Sequence, residues 1–278
     1  MMKRNIKMIG FDLDGTLLNS NKEISDYTRD VIREAVEQGV IILPATGRPL
    51  TGIPKPVMAL PGIRYAVTAN GARVVDVQED KVLHEALLPY EKGKELLEIF
   101  AKYDTYREVY YEGFGYATAD MVERIEEYMP IKPMIEYMRT TRRRVPDVEA
   151  MFHEKKMAVD KLQALFRDTE TRDLAMKEVK EKVHGAAITS ALGNNIEANG
   201  EDAQKGIALL KLGEILGIKK DEIMAFGDGS NDMDMIRRVG FGVAMENGID
   251  EIKEAADYIT VTNDEHGVAK AIEKFVLR

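Results

Sequence analysis

Short apolar runs at residues 6–11, 40–43, 65–67, 223–226 and 240–244, bounded by Gly, Pro or Asp, constrain what this chain can become more than any other feature. Runs of this length, rich in Ile, Val, Leu and Phe and lacking polar alternation, mark strands buried on both faces of a parallel sheet. Helical patterns lie between several of them. Residues 26–38 place Val31, Ala35 and Val36 on one face and stop at Gly39, and residues 205–216 repeat Ile207, Leu210 and Leu216 before Gly217. Strands and helices in alternation predict an α/β fold built on a doubly wound parallel sheet.

The middle of the chain reads differently. After Asn70-Gly71, residues 73–88 alternate like a hairpin, and residues 89–187 mix long charged helices with strand-like pieces such as 106–111. Parallel strands resume near residue 223, so the sheet is expected to draw on both ends of the chain, residues 1–87 and 189–278. An α+β domain, 88–188, is inserted between them. A chain of 278 residues with 45% apolar content is long enough for two cores.

A net charge of −9 with no basic run argues against nucleic acid as a partner. Nothing has the length or apolarity of a signal peptide or a membrane span, so a soluble cytoplasmic protein is expected, with no membrane partner. The absence of cysteine rules out disulfides and thiolate metal sites and suits a reducing compartment. The fifteen methionines are read as core filler. No heptad or apolar stripe defines an oligomeric state.

Chemistry concentrates in two acidic clusters. In FDLDGTLL, residues 11–18, Asp12 and Asp14 follow the first strand two residues apart, and continued strand geometry would point both carboxylates to one side. That is the end where open α/β sheets bind ligands. Carboxylates held this close call for a shared proton or a cation, and a divalent metal is expected. Aspartate, with a reference pKa of about 3.9, is already ionised at neutral pH and can attack phosphorus without a base. A second carboxyl, Asp14, can protonate the leaving alkoxide and then deprotonate the hydrolytic water. Gly15 lets the chain turn close to phosphate, and Thr16 is expected to steady the acid/base. Asp-Gly alone is an ordinary turn, and a calcium loop is excluded because Leu17 stands where that loop needs glycine.

The second cluster, GDGSNDMDM at residues 227–235, repeats the pattern after the run at 223–226. Asp228 is the expected remaining carboxylate on Mg²⁺, which prefers oxygen ligands. Asn231 and backbone N–H groups of the following helix can orient phosphate, while Asp232 can steer water or pair with a lysine. Met233 blocks a calcium-loop reading here too. Two weaker signals join these. Thr46 and Gly47 follow the run at 40–43, and Lys205 opens a helix where its ammonium can neutralise charge on a transferring phosphoryl group. Taken singly, they would be a routine loop and a solvated helix end.

These four pieces in this order resemble the motifs of the haloacid dehalogenase (HAD) superfamily. The strings TANGA at 68–72, GVAM at 242–245 and HGVA at 266–269 are similar to its Cof-type branch. The resemblance implies a Rossmann-like core with a large αβ cap inserted after the third strand, and a Mg²⁺-dependent phosphatase working through an aspartyl phosphate on a small phosphorylated metabolite. It implies Asp12 as nucleophile and metal ligand, Asp14 as acid/base and carbonyl ligand, and Asp228 as third ligand. Leu13 N–H, Thr46, Gly47, Lys205 and Asn231 would hold phosphate, supported by Thr16 and Asp232. The sequence departs from many relatives at Met245-Glu246-Asn247-Gly248, which touches no catalytic residue. Two alternatives stand beside this. One is a phosphohexomutase, with Arg142, Arg143 and Arg144 as a second phosphate site. The other is a catalytically silent metabolite-binding protein.

Overall fold

The computed structural model describes residues 3–190 and 192–277. In chain order the strands are β1 (Met8–Phe11), β2 (Ile41–Pro44), β3 (Tyr65–Thr68), β4 (Arg73–Asp76), β5 (Lys81–Glu85), β6 (Thr105–Tyr111), β7 (Phe114–Thr118), β8 (Arg143–Val145), β9 (Lys161–Phe166), β10 (Ala186–Thr189), β11 (Asn195–Gly200), β12 (Ile223–Gly227), β13 (Phe241–Ala244) and β14 (Tyr258–Ile259). They divide between two compact units. One comprises residues up to Gly47, Ile53–Glu85 and Gln204 onward; the other comprises Arg48–Gly52 and Ala86–Ala203.

The first unit carries a five-stranded parallel sheet in the order β14-β13-β12-β1-β2. β1, β12 and β13 are buried at every position, as their uniformly apolar sequences require. Helix Asp26–Glu37 starts at Ser25, whose side chain accepts from Thr28 N, and buries Val31, Ile32 and Ala35. Helix Lys205–Leu216 buries Ala208, Leu209 and Leu212 rather than the expected stripe of Ile207, Leu210 and Leu216. That helix is apolar around most of its circumference, so periodicity alone does not select the face. Gly10 of β1 does: a Cβ there would lie 2.7 Å from a methyl of Leu209. The run at 65–67 also departs from expectation. β3 belongs to a three-stranded antiparallel sheet, β3-β4-β5, and lies beside β2, joined to its end by an isolated parallel bridge between Ala45 and Val67.

The second unit is an α+β layer around the sheet β10-β11-β9-β6-β7-β8, antiparallel except for β7 with β8. Leu96, Phe100, Phe152, Leu162, Phe166 and Val179 form its main core. β11 pairs antiparallel with both β9 and β10. The unit therefore runs on to Ala203, past the residue 188 set as its end from sequence. Asn195, Glu197 and Asn199 alternate with Ile196 and Ala198 along β11, a strand pattern with only two apolar side chains to mark it. Among the described residues no helix is long and apolar enough to cross a membrane.

Candidate active site

β1 ends at Phe11, and the chain turns directly after Asp12, whose N–H donates to Phe226 O at 3.0 Å. Leu17 N returns to Asp12 O (3.2 Å), while Leu13, fully buried, accepts from Leu18 N at 2.9 Å. Asp14 follows in this turn, partly exposed; it accepts from Lys22 Nζ at 2.8 Å, and its charge reaches Asp228 and helps to raise that carboxyl. Gly15 makes the turn with φ of +86°, and a Cβ on it would stand 2.3 Å from Asp228 Oδ2. Only glycine satisfies both demands.

The charged centre is compact. Lys205, wholly buried, donates from Nζ to Asp12 Oδ1 and to Asp232 Oδ1, each at 2.6 Å. Asp232 Oδ2 accepts from the N–H groups of Asp228 and Gly229, both at 3.0 Å. Asp232 is thus the hub that ties the lysine to the loop after β12, matching the pairing with a lysine read from sequence. Thr16 Oγ1 donates to Asp228 Oδ1 at 2.7 Å, so this hydroxyl steadies Asp228 rather than Asp14 as expected. Its position one residue beyond the glycine aims it across the turn at the neighbouring strand's carboxylate.

Carboxylate oxygens of Asp12, Asp228 and Asp232 lie within 4.8 Å of one another. Burial pushes the Asp12 carboxyl up to about 8, against the pull of Lys205 and with help from Asp232 and Asp228. Burial, then Asp232, raises Asp228 to about 6. Burial opposes the Lys205 charge, yet Asp12 and Asp232 hold its ammonium above the usual lysine range. One lysine does not neutralise three clustered carboxylates. Hard oxygen donors with raised pKa values are the chemistry that a small divalent cation fits. Because both Asp232 oxygens already accept hydrogen bonds, Asp12 and Asp228 are the better placed ligands of the three.

A polar wall adjoins this centre. Thr46 is buried and donates its N–H to Val67 O at 2.9 Å. Asn231 Nδ2 donates to Asn70 Oδ1 at 3.2 Å, and a Cβ on Gly47 would lie 2.7 Å from that same oxygen and 3.7 Å from Asn231 Nδ2. Asn231 itself stands in a turn, Ser230–Asp232, ahead of a short helix, Met233–Arg238. Loops following β2, β3 and β12 therefore converge with the one after β1. The structure brings together Asp12, Lys205, Asp228 and Asp232 with Thr16, and separately Gly47 with Asn231. Asn70 was not singled out from sequence. In sequence it marks only the point after which residues 73–88 alternate and a place in the string TANGA, although an Asn suited to positive φ just past a core strand is a usable signal.

A family model for haloacid dehalogenase-like hydrolases matches residues 9–272. The 5-amino-6-(5-phospho-D-ribitylamino)uracil phosphatase YcsE of Bacillus subtilis is 34% identical over 273 residues, covering 98% of this chain and 97% of that protein. A solved haloacid dehalogenase-like hydrolase from B. subtilis matches with a TM-score of 0.84 and 26% identity, over 96% of this chain and 99% of that one. The HAD subclass IIB sugar phosphatase BT4131 matches with a TM-score of 0.82 and 25% identity, over 96% and 98% of the two chains. The protein is an enzyme, a hydrolase of the phosphatase class. It belongs to the haloacid dehalogenase-like hydrolase family.

Proposed function

We propose that this phosphatase acts on a small phosphorylated metabolite, a sugar phosphate or similar phosphomonoester, with Asp12 as nucleophile and Mg²⁺ as cofactor. The observation that carries the reading is the buried Lys205 held between Asp12 and Asp232 beside Asp228. Asp12 Oδ attacks phosphorus, the bond from phosphorus to the leaving oxygen breaks, and Asp14 delivers a proton to that oxygen. Water then attacks the aspartyl phosphate while Asp14 takes its proton, releasing phosphate and restoring Asp12. Lys205, Thr46, Gly47, Asn231 and the Leu13 N–H hold the phosphoryl oxygens, so the charge that spreads over them meets donors fixed in advance. Asp12, Asp228 and the Asp14 carbonyl would hold the magnesium ion, which when bound supplies positive charge that favours ionised Asp12 and offsets phosphate charge. Thr16 and Asp232 keep Asp228 and Lys205 in place.

Support for the substrate class comes from the ribitylaminouracil phosphate named for the B. subtilis relative and the sugar phosphates named for the structural neighbour. A mutase finds less support, because its second phosphate site would need the arginine triplet. Arg142 is buried in a two-pronged ion pair with Glu108, Arg143 lies over the Phe114 ring and donates to Tyr116, and Arg144 pairs with Glu123. A silent binding protein would not require the full set of acid, base and lysine present here. A cytoplasmic setting belongs to the same reading. The test is release of inorganic phosphate from a panel of sugar, polyol and nucleotide phosphates, with and without Mg²⁺. Metal-dependent release abolished by Asp12→Asn is expected. Stoichiometric conversion of hexose 1-phosphate to 6-phosphate without release would replace the phosphatase reading.

A further inference from the structure

We propose that Asn70 is a positioning residue of this site: its side-chain oxygen fixes the orientation of the Asn231 carboxamide that holds phosphate. The inference rests on the phosphatase reading above, in which Asn231 contacts the transferring group. Asn70 is buried two residues beyond the end of β3, with φ of 59° and ψ of 23°. Its neighbours Ala69 and Gly71 also have positive φ, 48° and 102°. Three such residues in succession form a turn that L-residues enter only when the surroundings impose it. The surroundings here are the segments that carry the site. Asn70 N donates to Thr46 O at 3.0 Å, Gly47 leaves room for Asn70 Oδ1, and a Cβ on Gly71 would meet Gln204 O at 2.5 Å, one residue before Lys205.

An amide nitrogen has two hydrogens. By accepting one from Asn231 Nδ2, Asn70 Oδ1 settles which end of that amide faces it and leaves the second hydrogen in a defined direction. Rotating the Asn231 amide would set two carbonyl oxygens against each other, so Asn70 keeps the donor from turning away during turnover.

A double-mutant cycle tests this on the full-length enzyme with Mg²⁺ and an aryl phosphate, comparing Asn70→Gly, Asn231→Ala and the double variant. Glycine accepts the left-handed backbone, so Asn70→Gly removes the amide without imposing strain. The expected result is a loss of about 10- to 100-fold in kcat/KM for each single variant, a similar weakening of product inhibition by inorganic phosphate, and little further loss in the double variant. Losses that multiply in the double variant would overturn the positioning role while leaving the phosphatase reading intact. An Asn231→Ala enzyme with unchanged kinetics would instead overturn the assignment of Asn231, and the role of Asn70 with it. Should Asn70→Gly fail to fold, Asn70→Asp, which keeps the left-handed backbone and an accepting oxygen, is expected to retain phosphatase activity far better than Asn231→Ala does. A loss as large as that of Asn231→Ala would overturn the role of the accepting oxygen.

Discussion

Replacing Lys205 by methionine separates what this lysine does for folding from what it does for chemistry. Methionine has nearly the same length and volume, so the change removes the charge and leaves little cavity. Each Nζ contact, to Asp12 and to Asp232, is 2.6 Å long. Coulomb's law at an effective dielectric constant of about 20 makes one such contact worth roughly 6 kcal/mol. Desolvation of the buried charges offsets much of that, and breaking a buried pair by removing one partner costs about 3–5 kcal/mol in practice. For a unit of this size the thermal midpoint should fall by about 10 °C or more. The chemical loss should be separate and larger, about 10³-fold in kcat, because the phosphoryl charge loses a fixed cation and Asp12 loses the partner that favours its ionised form. Phosphate release at saturating Mg²⁺, measured well below the variant's midpoint, reads the second effect, and thermal unfolding reads the first. A destabilised variant with activity within threefold of wild type would show Lys205 to be a structural counter-ion and refute its place at the phosphoryl group. An unchanged midpoint would refute the energetics of the buried triad.

Gly15→Ala should lose activity by about 100-fold or more and destabilise the enzyme by about 1–3 kcal/mol, because the new methyl meets Asp228 and φ is positive; near-normal phosphate release would show that this turn tolerates displacement. Asp76 accepts from Arg64 Nε at 2.8 Å and from the N–H groups of Gln78 and Glu79. The Arg64 hydrogen bond above all holds its carboxyl below the usual carboxylate range. A lowered folded pKa means stability that is present above the unfolded pKa and lost as pH falls through the folded one. The gap in thermal midpoint between wild type and Asp76→Asn should therefore be wide at about pH 7 and narrow as pH falls past the ordinary aspartate pKa of about 3.9 toward the lowered folded value. A gap independent of pH would show that the ionised form contributes nothing.

Much of the centre was legible because its residues lie in compact strings. Asp12, Lys205, Asp228 and Asp232 each follow a core strand or open a helix, and strand order in a parallel sheet brings such positions to one end. What stayed hidden depended on turns and on shape. The pairing of Asp14 with Lys22 depends on the turn after Phe11, and the partner of Thr16 on how close β12 comes, which spacing does not encode. The buried stripe of helix Lys205–Leu216 follows the dent at Gly10, not its own periodicity. With only Ile196 and Ala198 apolar, the alternation of β11 is too brief to stand out, and the domain boundary shifted with it. Asn70 carries a local mark of its turn, but its hydrogen bond to Asn231 joins two loops far apart in sequence, which neither string encodes.

The place of β1 between β2 and β12 has a consequence for how the enzyme is born. The β1–β12 pairing joins Met8 to Ile223, so closing that loop carries a large entropic demand. A ribosome must emit everything between them before Asp12 can meet Lys205. Until then Asp12 ends a strand whose β12-facing edge is unpaired, and any folding of the intervening residues shortens the distance the two strands must search.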